Sequence, residues 1–309
     1  MKHEFYYTSR DSVTKIHAIE WIPDGEVKGI LQICHGMVEY IDRYDEFAKF
    51  MSGHGYYVVG HDHLGHGKSI QTEADLGYFD ERKGNQYVIG DIYRLQEMTK
   101  KKYPDAPYFM LGHSMGSFLL RQYLTMYAGG LSGAVIMGTG YQGALTLSAG
   151  RIVCRIIAAF KGWKYRSTFV DNLSFGGFNK KFEPGETSKE WITSDKKKRD
   201  EYVQDPLCSY TFTLGAYYQM FTGMKVLVRK GSMNRIPKTL PVLFTAGADD
   251  PVGAFGKSVT RVYEKYKDAG IKDVSIHLYK GDRHEILNEV DRQNVYQDIL
   301  AWIEERNRR

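Results

Sequence analysis

Gly112-His113-Ser114-Met115-Gly116 decides how this chain of 309 residues folds, because of what stands on either side of it. The apolar run Tyr108 to Leu111 leads in, and Phe118, Leu119, Tyr123, Leu124 and Tyr127 recur near helical spacing on the way out. A strand that turns into a helix this sharply has room only for small residues beside the turn. Gly112 and Gly116 supply it. Ser114 is then thrust out of the backbone with unfavourable dihedrals, in the strand-turn-helix setting that a G-x-S-x-G nucleophile elbow requires.

A serine hydroxyl is a poor nucleophile at neutral pH. It needs a base, the base needs an acid to orient it, and the developing oxyanion needs hydrogen-bond donors. The strand Pro241 to Thr245 ends in Gly247-Ala248-Asp249-Asp250-Pro251-Val252-Gly253, which offers two carboxylates. Val274 to Tyr279 runs into Lys280-Gly281-Asp282-Arg283-His284-Glu285, and so puts His284 on a loop at the same sheet edge. Upstream, Gly29 to Cys34 ends in His35-Gly36-Met37, where the backbone N–H of Met37 would join that of Met115 as an oxyanion hole. All of these stand at carboxyl ends of strands, where open α/β sheets place their ligands. Asp249 and Asp250 compete for the acid; the other role open to either is capping the turn.

His35-Gly36-Met37-Val38-Glu39-Tyr40 with Arg43-Tyr44, the segment His61-Asp62-His63-Leu64-Gly65-His66-Gly67-Lys68-Ser69, and the Gly-His-Ser-Met-Gly elbow resemble the monoacylglycerol lipase and lysophospholipase family of α/β hydrolases. These proteins are also grouped with the serine aminopeptidase type hydrolases. The resemblance covers nearly the whole chain: Phe178 to Phe182, Trp191-Ile192 and Asp205-Pro206-Leu207-Cys208 are similar to the cap of bacterial lysophospholipase-like members. It implies an α/β-hydrolase fold, a mostly parallel doubly wound sheet with a helical cap insertion. It implies Ser114 as nucleophile, His284 as base and, from the glycine three residues before it and Pro-Val after it, Asp250 as acid. Glu39 and Arg43 would be an ion pair supporting the loop of His35 and Gly36. No cofactor or metal is implied, and no nucleic-acid partner. Tyr40 departs from the pattern, since many members have His there, and is expected to alter the pocket mouth rather than the chemistry.

Other readings of these segments are weaker. Gly67-Lys68-Ser69 imitates the end of a phosphate-binding loop, but Asp62 stands where that motif needs glycine. His61, Asp62, His63 and His66 are metal-ligand types, yet they occupy a tight Gly-rich turn that the family uses structurally. His284-Glu285 opens like a zinc-protease helix, and Asn288 stands where its second His should be. His113 adjoins the nucleophile in sequence, but neighbours on a sharp elbow diverge, so it is read as a hydrogen-bonded structural residue.

Glu4 to Thr8 and Lys15 to Trp21 suggest a hairpin ahead of the parallel strands. Segments near Gly29 to Cys34, Tyr56 to Gly60, Tyr108 to Leu111, Gly133 to Met137, Val242 to Thr245 and Val274 to Tyr279 then alternate with helical patterns, as in a doubly wound sheet. The gap from about Tyr141 to Ile236 is too long for a loop in a compact domain. It divides the chain into a core of 1–140 and 237–309 and a cap of 141–236. Within it Ile152, Val153, Ile156, Ile157 and Phe160 form an apolar helix face, expected to pack the cap onto the body and, with the aromatics nearby, to line an acyl channel. From Arg151 to Lys238 there are 17 Lys and Arg against 8 Asp and Glu, whereas the whole chain is only +5. That excess is either a solvated face or an attraction to phospholipid headgroups, with peripheral contact to anionic lipid surfaces.

A hydrophobic content of 42% is enough for a large core. Cys34, Cys154 and Cys208, odd in number and without metal spacing, suggest free thiols in a reducing compartment. Met1 to Arg10 lacks the apolar core of a signal peptide, so a cytoplasmic protein is expected. The expected function is hydrolysis of carboxylic esters of single-chain lipids, monoacylglycerol or lysophospholipid, through an acyl-enzyme. A small-ester esterase, thioesterase or aminopeptidase fits the same residues, because an elbow fixes acyl transfer and not the leaving group. A silent lipid-binding protein on this fold would be expected to have lost one of the three residues, and all are present.

Overall fold

The computed structural model describes residues 1–307. Its strands are β1 (Lys2–Thr8), β2 (Lys15–Trp21), β3 (Gly29–Cys34), β4 (Tyr56–His61), β5 (Tyr108–His113), β6 (Gly133–Met137), β7 (Val242–Gly247) and β8 (Val274–Tyr279). They pair in one sheet in the order β1-β2-β4-β3-β5-β6-β7-β8. The β1-β2 hairpin pairs antiparallel, β2 joins β4 antiparallel, and every pairing from β4 to β8 is parallel. All eight segments marked as strands in the sequence are therefore strands. Several run a residue or two further, because inter-strand bonding continues past the last apolar side chain.

Period-two alternation serves two apolar faces here. Along β3 and β5, Ile30, Cys34, Tyr108 and Met110 point to one core, while Leu31, Ile33, Phe109 and Leu111 point to the other. Helices α1 (Asp45–Gly53) and α9 (Arg292–Asn307) cover the second core; α2 (Gly84–Lys102), α3 (Met115–Tyr127) and α8 (Lys257–Asp268) cover the first. From β3 the chain first builds β4 on one side and then crosses to β5 on the other. That reversal opens a crevice beyond the carboxyl ends of β3 and β5, with Cys34 and Gly112 in register at its base.

Between β6 and β7, residues 138–241 leave the sheet and carry four α-helices, α4 (Ala144–Lys161), α5 (Thr168–Phe175), α6 (Lys196–Gln204) and α7 (Leu214–Leu227). Helix α7 packs along α4 and rests against α2 and α3. The apolar stripe of α4 does not pack inward as a unit. Val153 and Ile157 face the core, but Ile152 and Ile156 are each 57% exposed and Phe160 is 83% exposed. The buried line of α4 is instead Leu147, Cys154 and Ala158. Close approach to α7 demands this: a Cβ on Gly150 would stand 2.9 Å from the Phe221 ring, so small side chains belong in that seam and the bulky ones are turned outward. Among the described residues no helix is long and apolar enough to cross a membrane, and all three cysteines are free and buried.

Candidate active site

The turn from β5 to α3 is as tight as its composition requires. Ser114 has φ +51° and ψ −118°, a conformation that costs a residue with a side chain about 1–3 kcal/mol and persists only where its surroundings impose it. They do so here: Ser114 N–H donates to Met137 O at 3.0 Å, and its own carbonyl accepts from Ser117 N–H at 2.9 Å. A Cβ on Gly116 would collide with the carbonyl oxygens of Cys34 and His35, and one on Gly112 with Gly116 O. The elbow is thereby pressed directly onto the end of β3.

Opposite it, His284 follows β8 and Asp250 follows β7. His284 Nδ1 lies 3.0 Å from Asp250 Oδ2, and Asp250 is fully buried, with Val252 N–H donating to its other oxygen at 2.8 Å. Asp249 points elsewhere, to an exposed ion pair with Lys181. Ser114 and His284 line one cavity, together with Met37 and Met115. No hydrogen bond joins Ser114 Oγ to His284 among the described residues, and such contacts commonly tighten only when substrate binds. The backbone N–H groups of Met37 and Met115 donate to no protein acceptor among the described residues, and Met115 opens α3, whose dipole favours negative charge there.

Behind this front lies a buried charged clamp. Glu39 accepts from the Gly36 backbone N–H, from Tyr44 Oη at 3.0 Å, from His113 Nδ1 at 3.0 Å and from Arg43 Nη1 at 2.9 Å. Arg43 also grips both oxygens of Glu285 at 2.7 Å. His113 Nε2 lies 3.2 Å from His284 O. Burial opposes charge on Glu39, Arg43 and His113. The bond and charge of His113, then Arg43, nonetheless hold the Glu39 carboxyl well below its ordinary range, and Glu39 in turn raises His113 above that of a free imidazole. A single carboxylate thus ties Gly36 to the imidazole that touches the His284 loop. In the sequence Glu285 bears no sign of a supporting role, and Trp191 is marked as a cap residue without its hold on His284. The Trp191 carbonyl accepts from His284 N–H at 3.3 Å, and its ring lies 5.2 Å from the imidazole.

On the other side of the loop is a neutral histidine nest. His35 Nε2 accepts from His63 N–H at 2.8 Å and its Nδ1 donates to Gly36 O at 2.7 Å, while His63 and His66 rings lie 4.2 and 5.2 Å away. His61 Nδ1, His63 Nε2 and His66 Nε2 are buried without partners. Burial lowers all four pKa values, those of His61 and His66 to about 3. Asp62 staples the turn, accepting from Ile41 N–H, Lys68 N–H and His17 Nδ1, each at 2.8 Å. Among the described residues no group of three or more His, Cys, Asp or Glu is arranged to hold a metal ion. Tyr40 Oη donates to Asp205 at 2.7 Å, joining this loop to the excursion.

The cavity has a volume of about 760 Å³, large for a small-molecule site. Phe118, Leu147, Val153, Met220, Phe221 and Met224 give it an apolar wall. Another part, from residues 170–192 and 202–211, is more polar and includes Asp171, Ser174, Ser188, Lys189 and Tyr210.

Comparison with known proteins agrees with this architecture. Residues 25–291 match the family model described as serine aminopeptidase, S33. Monoglyceride lipase of Homo sapiens is 26% identical over 290 residues, which cover 93% of this chain and 86% of that one. Monoacylglycerol lipase of Mycolicibacterium smegmatis is 25% identical over 286 residues, covering 92% and 90%. A highly thermostable carboxyl esterase from Bacillus coagulans, solved in complex with glycerol, superposes with a TM-score of 0.91 at 28% identity over 99% of both chains. The sheet with its flanking helices is the α/β-hydrolase fold.

Proposed function

Because the chain belongs to the serine aminopeptidase S33 family of hydrolases, we propose that this carboxylic ester hydrolase acts on single-chain lipid esters, with Ser114, His284 and Asp250 as its triad. Ser114 Oγ attacks the ester carbonyl as His284 takes its proton. The N–H groups of Met37 and Met115 receive the oxyanion, and His284 returns the proton to the departing alcohol. Asp250 holds the imidazole in the tautomer that presents Nε2 to the serine and stabilises the imidazolium. Water then repeats the sequence on the acyl-enzyme. The observation that carries this reading is the Asp250–His284 contact at the rim of an apolar-walled cavity that Ser114 also lines.

The excursion of residues 141–236 is the cap. Its cavity takes one acyl chain, and the names of the lipase relatives agree with such a substrate. The esterase of high structural similarity favours a second reading, a hydrolase of small esters. An aminopeptidase is less well supplied, because a free α-ammonium needs an available carboxylate. Glu39 and Glu285 are spent on Arg43, and Asp171 accepts from Tyr217 Oη at 2.6 Å. Contact with a lipid surface belongs to the outward side of the cap, where Ile152, Ile156, Phe160, Phe169 and Leu173 are exposed and Leu173 also lines the cavity.

Initial rates on monoacylglycerols, lysophospholipids, short p-nitrophenyl esters and aminoacyl amides test the substrate class. Faster cleavage of amides than of any ester would refute it. A fluorophosphonate probe should label Ser114 alone, and Ser114→Ala should lower kcat by about five to six orders of magnitude with the fold intact. An adduct located elsewhere by mass spectrometry overturns the mechanism.

A further inference from the structure

Lys189 is the single lysine or arginine that lines the cavity among the described residues. It sits in the turn before Trp191, whose carbonyl and ring hold the His284 loop. Most cations of the surrounding segments are neutralised locally: Arg199 by Glu186 and Glu190, Lys181 by Asp249, Lys196 by Glu186. The Lys189 ammonium has neither a hydrogen bond nor an ion pair within 4.0 Å among the described residues. The carboxylate that acts on it is Asp171, across the same cavity and already engaged by Tyr217. Ser174, Ser188 and Tyr210 line this part of the cavity as well, and the Tyr210 hydroxyl is buried without a partner.

The Ser174 hydroxyl donates to Val170 O at 2.9 Å, but those of Ser188 and Tyr210 make no bond among the described residues, and an ammonium without a close counter-ion on the polar side of such a cavity is a site waiting for an anion. We infer that Lys189, with the Ser188 and Tyr210 hydroxyls that line the same cavity, is an anion subsite that selects single-chain esters carrying a phosphate or carboxylate away from the scissile bond. Burial depresses the Lys189 pKa more than Asp171 raises it, in keeping with a charge short of compensation. The inference rests on the reading of the cavity as a single-chain ester site and adds to it the charge of the preferred substrate.

The test is kinetic, on the full chain. Wild type, Lys189→Met and Lys189→Arg are compared on 1-lauroylglycerol, on 1-lauroyl lysophosphatidate and on the monomethyl ester of a twelve-carbon dicarboxylic acid. Lys189→Met should lose about 10-fold to 100-fold in kcat/KM on the anionic ester that uses the subsite, the worth of one charge-assisted hydrogen bond, and less than about twofold on the neutral one. Lys189→Arg should keep most of the preference. Loss on the lysophosphatidate alone assigns the anion to the headgroup, and loss on the half-ester alone assigns it to the far end of the acyl chain. Equal losses on all three esters, or none, overturn the subsite. If none of the long esters is a substrate, the single-chain reading fails by itself. The subsite is then tested by inhibition of p-nitrophenyl butyrate hydrolysis: the Ki of dodecyl phosphate should rise about 10-fold in Lys189→Met while that of dodecanol keeps its value, and an unchanged dodecyl phosphate Ki overturns it.

Discussion

The carboxyl edge of the sheet and the excursion between β6 and β7 treat polar groups in opposite ways. Around the elbow, Glu39, His113 and Glu285 are buried and Arg43 nearly so, and each has one or more charged or hydrogen-bonded partners. In the excursion, Lys189 meets no counter-ion, and Ile152, Ile156 and Phe160 meet water. Groups that must hold one position to a fraction of an ångström are over-determined by neighbours. Groups that meet a ligand or a surface are left to be completed by it. The contrast fixes how large each perturbation should be.

The largest expected effect is at the edge. Asp250→Asn leaves the packing intact but lets the side chain favour the wrong imidazole tautomer, so kcat should fall by about four orders of magnitude. Asp249→Asn breaks only an exposed pair with Lys181 and should change kcat less than about twofold. Steady-state kinetics on one ester decides between them. The reverse order would mean that the acid is misassigned and that the edge is less determined than its hydrogen bonds indicate.

Next is the clamp. Glu285→Gln removes one charge of a buried pair and leaves Arg43 with Glu39 alone, which should lower stability by about 3–5 kcal/mol. As Glu285 acts by positioning, kcat should fall about 10-fold to 100-fold with little change in KM, while fluorophosphonate still labels Ser114. A variant of wild-type kcat and reduced thermal midpoint would make the clamp structural only.

The histidine nest supplies a pH test. In the unfolded chain each imidazole takes a proton near pH 6.5, whereas in the fold His61 and His66 hold out to about 3 and burial holds His63 well below its ordinary value. Their folded pKa values are depressed, so their stabilisation is complete above pH 6.5 and is lost as pH falls toward 3. Between pH 7.5 and 5.5 His61 and His66 together cost about 3 kcal/mol and His63 adds in the same direction, while His17 and His113, with raised pKa values, subtract. The urea midpoint should therefore drop over that interval. A midpoint that rises would contradict the buried, neutral nest.

Legibility in the sequence follows the same divide. The strands were readable because a parallel sheet buried on both faces writes itself as apolar runs, and the elbow because no other residue fits where Gly112 and Gly116 stand. His284 was found by its place after β8. Glu285, beside it, was not: a glutamate in a polar loop carries no mark of the arginine that the fold brings from residue 43. The orientation of α4 was hidden for a related reason. A helix apolar on most of its circumference has no unique inward face, and the choice lay with the spacing to α7 rather than with hydrophobicity. Lys189 looked like an ordinary turn lysine, because only the cavity shows what it lacks.

The smallest expected effect lies on the outer side of the excursion, and there the structure moves the emphasis of the sequence reading. The basic excess from Arg151 to Lys238 suggested an electrostatic contact with anionic lipid, yet in its densest run, Lys196 to Lys198, Lys196 pairs with Glu186, and Lys198 with Glu46 and Glu201. Changing all three to Gln should therefore alter the salt dependence on anionic vesicles by less than about twofold, since exposed pairs are worth little. The exposed apolar line of α4 is the better surface element: Arg155 and Lys161 stand exposed on the same helix, and Leu173 joins the neighbouring apolar surface to the cavity. Ile152→Ser with Ile156→Ser and Phe160→Ser should weaken sedimentation with phosphatidylglycerol vesicles and lower the rate on vesicle-borne monoacylglycerol about 10-fold, about the loss expected from two or three partly inserted side chains. The rate on a monomeric short ester should stay the same, because no part of the clamp or elbow is touched. If both rates fell together, the outward face would be supporting the cavity rather than meeting a membrane. If neither fell while the lysine variant lost vesicle binding, the charged run would be the contact after all, and the rule that unsatisfied groups mark the working surfaces of this excursion would fail at its outer side.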